Sequence, residues 1–500
     1  MGKIEIQHLT FDYDGTRIFD NVDIVLDDSW KLALIGRNGR GKTTLLKLLQ
    51  NKLEFQGTIT HQLDLLYFPQ EIKEKEQLTL YALQEIAEFE EWELMRELNA
   101  LKVDLNVLYQ PFKTLSGGEA TKVLLALLFI DEFHFPLIDE PTNHLDIEGR
   151  KTVADYLKAK RQGFILVSHD RDFVDSVVDH VISIEKTQLR LYQGNFSVYE
   201  MQKELRDNYN LIQNSKLKKE IIRLKQSAAD KAEFSRSREK DKYGSPKVKG
   251  SRGNIDTGFI GARSARMMKK SKNIEHRLQK EVEVKEGLLK DIEQVDTLEM
   301  KMAKTHHTRL LTVENLTLSY GNMPLFQPIT FELKKGNRIA LIGENGSGKS
   351  SVIQAILGKF PAQMNGSITQ AENLKISLVR QNYADNTGTL KEFAAREEIE
   401  YELLLNNLKK LGIKRSVFNT PIELMSMGEQ KKVELAKSLS EKADVFIWDE
   451  PLNYLDVFNH EQIKTVILKF EPTLLIVEHD KRFLKEIALQ VIALKKPQKT

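Results

Sequence analysis

Short apolar runs alternate with helix-periodic stretches over the first 200 residues, and the same alternation returns after about residue 305. Lys31-Leu32-Ala33-Leu34-Ile35-Gly36 reads as a buried strand feeding a glycine loop, and Thr44-Leu45-Leu46-Lys47-Leu48-Leu49 as the helix after it. Phe164-Ile165-Leu166-Val167 is a further short buried strand. The second half repeats these elements at 338–343 and 473–477, and both halves open on related strands at 4–10 and 311–317. Strands alternating with helices predict an α/β fold with two parallel-sheet domains in tandem. The middle of the chain breaks the pattern. Leu205, Tyr209, Ile212, Leu217, Ile221, Leu224 and Ala228 approximate a 3/4 apolar spacing amid Lys, Arg and Glu. Ile274, Leu278, Val282, Leu289, Ile292 and Val295 do the same on the return. The stretch between them, 243–261, is rich in Gly and Pro breakers. Two stripes around such a tip predict an antiparallel α-helical hairpin, each arm of roughly 40 residues reaching about 60 Å. A charged linker without structure is the alternative. The predicted division is 1–202, a linker at 203–305 with its tip near 243–261, and 306–500.

Composition narrows the class. A chain of 500 residues with 41% hydrophobic and 29% charged positions is a globular protein of two to four domains, not a disordered one. The absence of cysteine excludes disulfides, thiolate metal sites and a cysteine nucleophile. The longest apolar run, Val123–Ile130, ends at Asp131 and Glu132 and falls far short of the ~18–20 residues a membrane span needs. It predicts a buried helix. With no apolar core at the amino terminus to direct secretion, a cytoplasmic location is expected. Net charge of +2 hides an asymmetry: residues 216–280 hold 20 Lys and Arg against 7 Asp and Glu. A basic middle between acidic ends suggests a surface for a polyanion.

Superimposed on this pattern, one set of motifs is written twice. The first comprises Gly36-Arg37-Asn38-Gly39-Arg40-Gly41-Lys42-Thr43-Thr44, Gln70, Leu115-Ser116-Gly117-Gly118-Glu119, Asp139-Glu140-Pro141 and Ser168-His169-Asp170. The second comprises Gly343-Glu344-Asn345-Gly346-Ser347-Gly348-Lys349-Ser350-Ser351, Gln381, Met425-Ser426-Met427-Gly428-Glu429, Asp449-Glu450-Pro451 and Glu478-His479-Asp480. The copies stand 307 residues apart at the loop lysines and 310 apart at Ser116/Ser426, Glu140/Glu450 and His169/His479. Such a duplication predicts a two-site nucleotide engine.

Each glycine loop follows a strand and opens a helix, the context in which backbone N–H groups wrap phosphates. Gly36, Asn38, Gly39, Gly41 and Thr44, with Gly343, Asn345, Gly346, Gly348 and Ser351, are the candidate ATP cradles. Lys42 and Lys349 would reach the β- and γ-phosphates, and the hydroxyls of Thr43 and Ser350 would ligate Mg²⁺. Asp139 and Asp449 follow apolar strands and are placed to hold Mg²⁺ directly or through water. Glu140 and Glu450, one residue on, can polarise the attacking water. His169 and His479 could reach the γ-phosphate; a lone histidine is more often structural, so that role rests on the repeat. Tyr13 and Tyr320 each stand 29 residues before the loop lysine and could stack on adenine, with packing into the core as the competing reading.

This constellation resembles the ATP-binding cassette superfamily across both flanking domains. The resemblance makes Gln70 and Gln381 the metal-linked Q-loop glutamines, and Asp146 and Asp456 the D-loop residues that couple the sites. It implies head-to-tail closure over two ATP molecules. Ser116, Gly117 and Gly118 would face the ATP on Lys349, and Ser426 and Gly428 the ATP on Lys42. Met427 replaces the first glycine of the second signature, and Arg37 and Arg40 enlarge the first loop. The Lys42–Ser426 site is therefore expected to turn over more slowly than the Lys349–Ser116 site.

Three classes use such cassettes. A membrane exporter needs spans, and a detached exporter subunit usually carries one cassette with a longer helical region than the 46 residues from Gln70 to Ser116. A DNA-repair or condensing ATPase would carry a long coiled coil inside one cassette, so no DNA partner is expected. Two complete cassettes joined by a basic helical hairpin resemble the ABC-F proteins that act on ribosomes. The wording of 36–44, 425–428, 448–456 and 256–263 is similar to the Lsa/Vga-type antibiotic-resistance group. That resemblance implies a 70S ribosome partner, entered at the tRNA exit site and touching 23S rRNA and P-site tRNA. It further implies protection from lincosamides, streptogramin A compounds and pleuromutilins, with ATP hydrolysis driving release. A monomer with paired cassettes and no membrane partner is expected. Lys242, Lys247, Lys249, Arg252, Phe259, Arg263, Arg266, Lys269 and Lys270 are the candidate RNA contacts, a solvated charged face being the alternative. A housekeeping translation factor is the second reading and an exporter ATPase subunit the third.

Overall fold

The computed structural model describes residues 2–240 except 14, 132 and 144, then 269, 273–274, 276–278, 280–282 and 284–285, and finally 297–497 except 304 and 322. Two compact units result, Met1–Tyr199 with Val295–Thr500, and Glu200–Gln294.

The larger unit contains the same plan twice. Its first half opens with β1 (Lys3–Tyr13) and β2 (Thr16–Asp27), then β3 (Lys31–Ile35) and α1 (Lys42–Leu49) on either side of the glycine loop. β4 (Gln56–Thr60) and β5 (Asp64–Phe68) lead into α2 (Thr79–Gln84), α3 (Glu91–Ala100) and α4 (Gly117–Leu128). β6 (His134–Asp139), α5 (Ile147–Ala159), β7 (Phe164–Val167), α6 (Arg171–Val177), β8 (His180–Glu185) and β9 (Gln188–Gln193) complete it, and α7 (Phe196–Lys240) follows. One antiparallel layer has the order β2-β1-β4; the main sheet runs β5-β6-β7-β3-β8-β9 and is parallel except for its last pair.

The second half uses β10 (Arg309–Tyr320), β11 (Met323–Pro324), β12 (Ile329–Lys334), β13 (Arg338–Ile342), α8 (Lys349–Ile356), β14 (Gln363–Gln370) and β15 (Ile376–Val379). It continues with α9 (Leu390–Arg396), α10 (Tyr401–Lys410), α11 (Met427–Ser440), β16 (Val445–Asp449), α12 (Val457–Phe470), β17 (Leu474–Val477), α13 (Lys481–Ile487) and β18 (Gln490–Ala493). Its parallel sheet runs β15-β16-β17-β13-β18.

Sequence pattern explains both layers. The central parallel strands are covered on both faces, so Leu32–Ile35, Phe164–Val167 and Leu474–Val477 are unbroken apolar runs and every one of these residues is buried. β1 has one wet face and alternates instead, burying Ile4, Ile6, Leu9 and Phe11. The apolar run of the first signature lies in α4, where Val123–Leu128 are all buried. Trp448, wholly buried in β16, donates its indole N–H to Ser438 Oγ at 2.9 Å.

Helix starts fall on the motif residues. Ser116 and Ser426 each accept from the third helical N–H, while Glu119 and Glu429 reach back to the serine N–H, a reciprocal cap. Asp146, Asp170, Asp456 and Asp480 cap α5, α6, α12 and α13 by accepting one N–H each, without the reciprocal bond.

In the smaller unit, residues on both arms are helical as the stripes predict. Ile221 and Val282 are buried, and Lys285 Nζ meets Glu220 Oε2 at 2.6 Å, which ties the returning segment to α7. Along α7 the inner row differs from the expected one in its first turns. Leu205, Tyr209 and Ile212 are exposed, Asn210 is buried, and the apolar row becomes internal only at Leu217, Ile221 and Leu224. On the return Ile274, Leu278 and Val282 are the less exposed positions, as the spacing implies. Leu289, Ile292, Val295 and the tip at 243–261 lie outside the described residues.

Candidate active sites

Both glycine loops adopt left-handed backbone at their second and third glycines: φ is 76° at Gly39, 96° at Gly41, 74° at Gly346 and 94° at Gly348. A side chain at Gly41 would be strained and would also meet Ile18 Cγ2 at 2.5 Å. Lys42 Nζ donates to the carbonyl of Gly36 at 2.8 Å and to Asn38 Oδ1 at 3.0 Å; Lys349 Nζ donates to the carbonyls of Gly343 and Glu344, both at 2.9 Å. Burial holds both ammonium groups below their ordinary pKa, although nearby Asp and Glu residues oppose it. An anion drawn into either loop therefore meets a desolvated cation.

Sheet pairing of β6 with β7 and of β16 with β17 brings the acidic pairs to the loops. Thr43 Oγ1 donates to Asp139 Oδ2 at 3.0 Å, and Ser350 Oγ to Asp449 Oδ2 at 2.9 Å. Glu140 and Glu450 stand at φ 55° and 49°, left-handed values that non-glycine residues seldom take. His169 Nε2 lies 3.1 Å from Glu140 Oε1, and His479 Nε2 3.4 Å from Glu450 Oε1. Gln381 Nε2 and Asn453 Nδ2 also donate to Glu450 Oε2, at 3.1 and 2.6 Å. The two carboxyls consequently differ. Burial and the neighbouring Asp139 push Glu140 up to about 8. Burial also raises Glu450, but His479, Lys349 and Lys431 outweigh it and hold the group below its usual value. Burial, with the positive charge of Lys42, drives His169 well below its ordinary pKa and leaves it neutral.

The donor set suits a hard cation. Asp449 Oδ1 and Gln70 Oε1 are buried oxygens without a hydrogen-bond partner, one at each site, and every candidate ligand is an oxygen. No group of three His, Cys, Asp or Glu side chains converges among the described residues.

Elements of both halves meet at each loop. A cavity of about 950 Å³ is lined by Lys349, Asn345, Gly346, Ser350, Ser351 and Tyr320 on one side and by Ser116, Gly117, Gly118 and Asp146 on the other. At Lys42 the second half touches the loop directly. Asn38 N donates to Asp456 Oδ2 at 2.6 Å, Asn38 Nδ2 donates to the Tyr454 carbonyl at 3.1 Å, and a Cβ on Gly428 would lie 3.9 Å from Asn38 Nδ2. Met427 opens α11 with its side chain exposed on the rim of the Lys349 cavity. Tyr13 and Tyr320 are 58% and 51% exposed, so neither is a core residue. Of the candidate RNA contacts, Lys269 is helical and exposed; Lys242, Lys247, Lys249, Arg252, Phe259, Arg263, Arg266 and Lys270 lie outside the described residues.

Tyr67 and Lys431 take part without belonging to any motif, and Glu478 differs from its counterpart in the first copy. Tyr67, on β5, donates to Asp139 Oδ2 at 2.9 Å, which the strand pairing of β5 with β6 makes possible. Lys431 Nζ reaches the carbonyls of Arg380 and Asp449 at 3.2 and 3.4 Å, and burial lowers it to about 8. Glu478, in place of Ser168, accepts from the backbone of His479 and of Leu452.

Comparison with known proteins agrees with this geometry. The family model described as ABC transporter matches residues 19–143 and 326–453. Ribosome protection protein VmlR of Bacillus subtilis is 30% identical over 97% of this chain and 85% of its own length. Erythromycin resistance ATP-binding protein MsrA of Staphylococcus epidermidis is 27% identical over 92% of this chain and 90% of its own. ATP-binding protein Uup of Buchnera aphidicola (subsp. Acyrthosiphon pisum) is 27% identical over 98% and 80%. Among solved structures, archaeal ribosome recycling factor aABCE1 in complex with stalk protein aP1 superposes at a TM-score of 0.63 with 20% identity, over 97% of this chain and 87% of that one; this likeness is one of fold. No helix among the described residues is long and apolar enough to cross a membrane. With two ATP-binding, ATP-hydrolysing cassettes in tandem and a long helix between them, the chain belongs to the ATP-binding cassette family, as an ABC-F ATPase.

Proposed function

We propose that this ABC-F ATPase binds the bacterial 70S ribosome in its ATP-held form and protects it from lincosamides, streptogramin A compounds and pleuromutilins. The observation that carries the reading is full-length similarity, 97% of the chain, to a protein named for ribosome protection. The +13 surplus of residues 216–280 supports it, since a basic segment suits rRNA and tRNA phosphates. In this reading residues 1–202 and 306–500 are the cassettes, 203–305 is the linker, and the protein works in the cytoplasm without a membrane partner.

Each cassette's residues have a definite task. The loop N–H groups with Lys42 or Lys349 neutralise the β- and γ-phosphates, Tyr13 or Tyr320 stacks on adenine, and the opposite signature closes over the γ-phosphate. Mg²⁺ would be held by Thr43, Gln70 and Asp139 in one cassette and by Ser350, Gln381 and Asp449 in the other, and when bound it supplies charge neutralisation on the phosphate oxygens. Glu140 and Glu450 orient a water for in-line attack on the γ-phosphorus, and the bond to the β,γ-bridging oxygen breaks to leave ADP and phosphate. His169 and His479, whose Nε2 atoms lie beside those carboxylates, would turn that N–H to the γ-phosphate. Loss of γ-phosphate contacts then lets the cassettes part and the protein leave its partner. Slower turnover at the Lys42 site is part of this reading, on the ground that Met427 stands where the second signature would carry its first glycine.

Glu140→Gln with Glu450→Gln should trap the complex. Lysate sedimented through sucrose with ATP is expected to carry the variant down with 70S particles; a membrane protein recovered in their place overturns the reading. Expression in a drug-susceptible bacterium should then raise the inhibitory concentration of a lincosamide or pleuromutilin. The similarity to ATP-binding protein Uup favours a second reading, a translation factor without drug protection. Ribosome binding with unchanged susceptibility would select it.

A further inference from the structure

Arg171 opens α6, two residues after His169, and its side chain is 8% exposed. Nη1 donates to Glu461 Oε1 at 2.7 Å, and Nη2 to the Val457 carbonyl at 3.0 Å. Both acceptors lie at the start of α12, the helix capped by Asp456. One guanidinium therefore fastens the element beside His169 in the first cassette to the element beside Asp456 in the second. Glu461 is held in turn by Lys464 at 2.6 Å, which also reaches Glu486 at 2.8 Å.

The 310-residue register shows that this bond has no twin. Arg171 corresponds to Lys481 and Glu461 to Lys151, so the matching positions on the opposite side are two cations. Both lysines are exposed, and neither side chain makes an ion pair or hydrogen bond among the described residues.

We propose that Arg171 is a positioning residue that bolts the cassettes together on the Lys42–Ser426 side alone, so that they part from the Lys349–Ser116 side first. A buried planar guanidinium sharing two acceptors resists separation, while two lysines at the matching positions supply no such tie. Nucleotide exchange then occurs first at Lys349, with the Lys42 side as the hinge. The inference concerns the cassettes only and stands or falls independently of ribosome binding.

The chain lacks cysteine, so introduced cysteines can carry spin labels without background. Thr16→Cys with Lys409→Cys spans the Lys42 side, where both residues line one small cavity. Their repeat counterparts, Met323→Cys with Asn99→Cys, span the other side and are likewise exposed. Pulsed electron–electron distance measurements without nucleotide should give a short, narrow distribution for the first pair and a longer one for the second. Arg171→Gln should raise the open-to-closed ratio on the Lys42 side at least about tenfold, the scale of truncating a buried interfacial ion pair. Arg171→Glu with Glu461→Arg should restore the narrow distribution, which a merely misfolded variant would not. Lys151→Glu, an exposed change, should give Lys481 a partner and shorten the second distribution. Equal opening on both sides in the unmodified chain, or an unchanged Lys42 side in Arg171→Gln, would overturn the proposal.

Discussion

Lowering the pH from 7 to 5 should loosen α12 through one side chain, His460. Its Nε2 donates to the Leu452 carbonyl at 3.2 Å, and Nδ1 is buried without a partner. Burial first, then the charge of Arg171, lowers the ring to about 4, with Asp456, the Leu452 carbonyl and Asp170 opposing. The folded pKa lies below the unfolded value of about 6.5, so between those limits the unfolded chain binds more protons. Stability is therefore unaffected above pH 6.5 and is lost as pH falls toward 4. A full displacement of that size corresponds to about 3 kcal/mol, of which roughly 2 kcal/mol has gone by pH 5. A protein of two large domains does not unfold as one unit, so the assay should be local. Hydrogen exchange of peptides covering Val457–Phe470, corrected for the intrinsic pH dependence of exchange, reads the opening of this helix directly. His460→Gln keeps a donor for Leu452 but removes the titration. Protection in the unmodified chain should fall by about 2 kcal/mol relative to this variant between pH 7 and 5. Parallel pH profiles for the two proteins would refute the reasoning.

Three further perturbations follow from the same contacts. Tyr67→Phe removes one of the two hydroxyl donors on Asp139 Oδ2; nucleotide affinity at the Lys42 site should change severalfold, about 1 kcal/mol for one hydrogen bond, with the Lys349 site unchanged in a fluorescent-nucleotide titration. Trp448→Ala empties a fully buried site and removes one of the two partners of Ser438 Oγ, so a loss of about 3–5 kcal/mol should appear as a large fall in the melting temperature of the second cassette. Glu97 accepts from Tyr156 and Lys160 in the first cassette; burial raises its carboxyl, but these bonds hold it below the usual range. Its contribution should be present above about pH 4.3 and lost as pH falls through the lower folded value, and Glu97→Gln should flatten that acid limb of the melting curve.

What the sequence disclosed depended on how far apart the cooperating residues stand. The glycine loops, the acidic pair after each buried strand and the signature serines are local strings, and their helix starts are local too: Ser116 with Glu119 is a cap readable from spacing alone. Partners joined only by folding were invisible. Tyr67 meets Asp139 because two strands pair, and Arg171 meets Glu461 across 290 residues. Neither bond leaves a periodic trace. The linker stripe was legible where apolar side chains are the internal ones, from Leu217 to Leu224. It misled where Asn210 takes the internal place and leaves Leu205, Tyr209 and Ile212 outside. Apolar spacing records which residues could be covered; it does not record whether the chain covers them.

Asp456 performs two duties with one carboxylate. Oδ1 accepts from the N–H of Asn459 and starts α12, while Oδ2 accepts from the N–H of Asn38 in the other cassette's glycine loop. Separating the cassettes therefore alters the charge balance on a group that also begins a helix, and fraying that helix withdraws the acceptor from the loop. A mechanical event between domains and a conformational event within one become the same event. No substitution at this position can tune one without disturbing the other, which ties the drift of the interface to the drift of the fold beneath it.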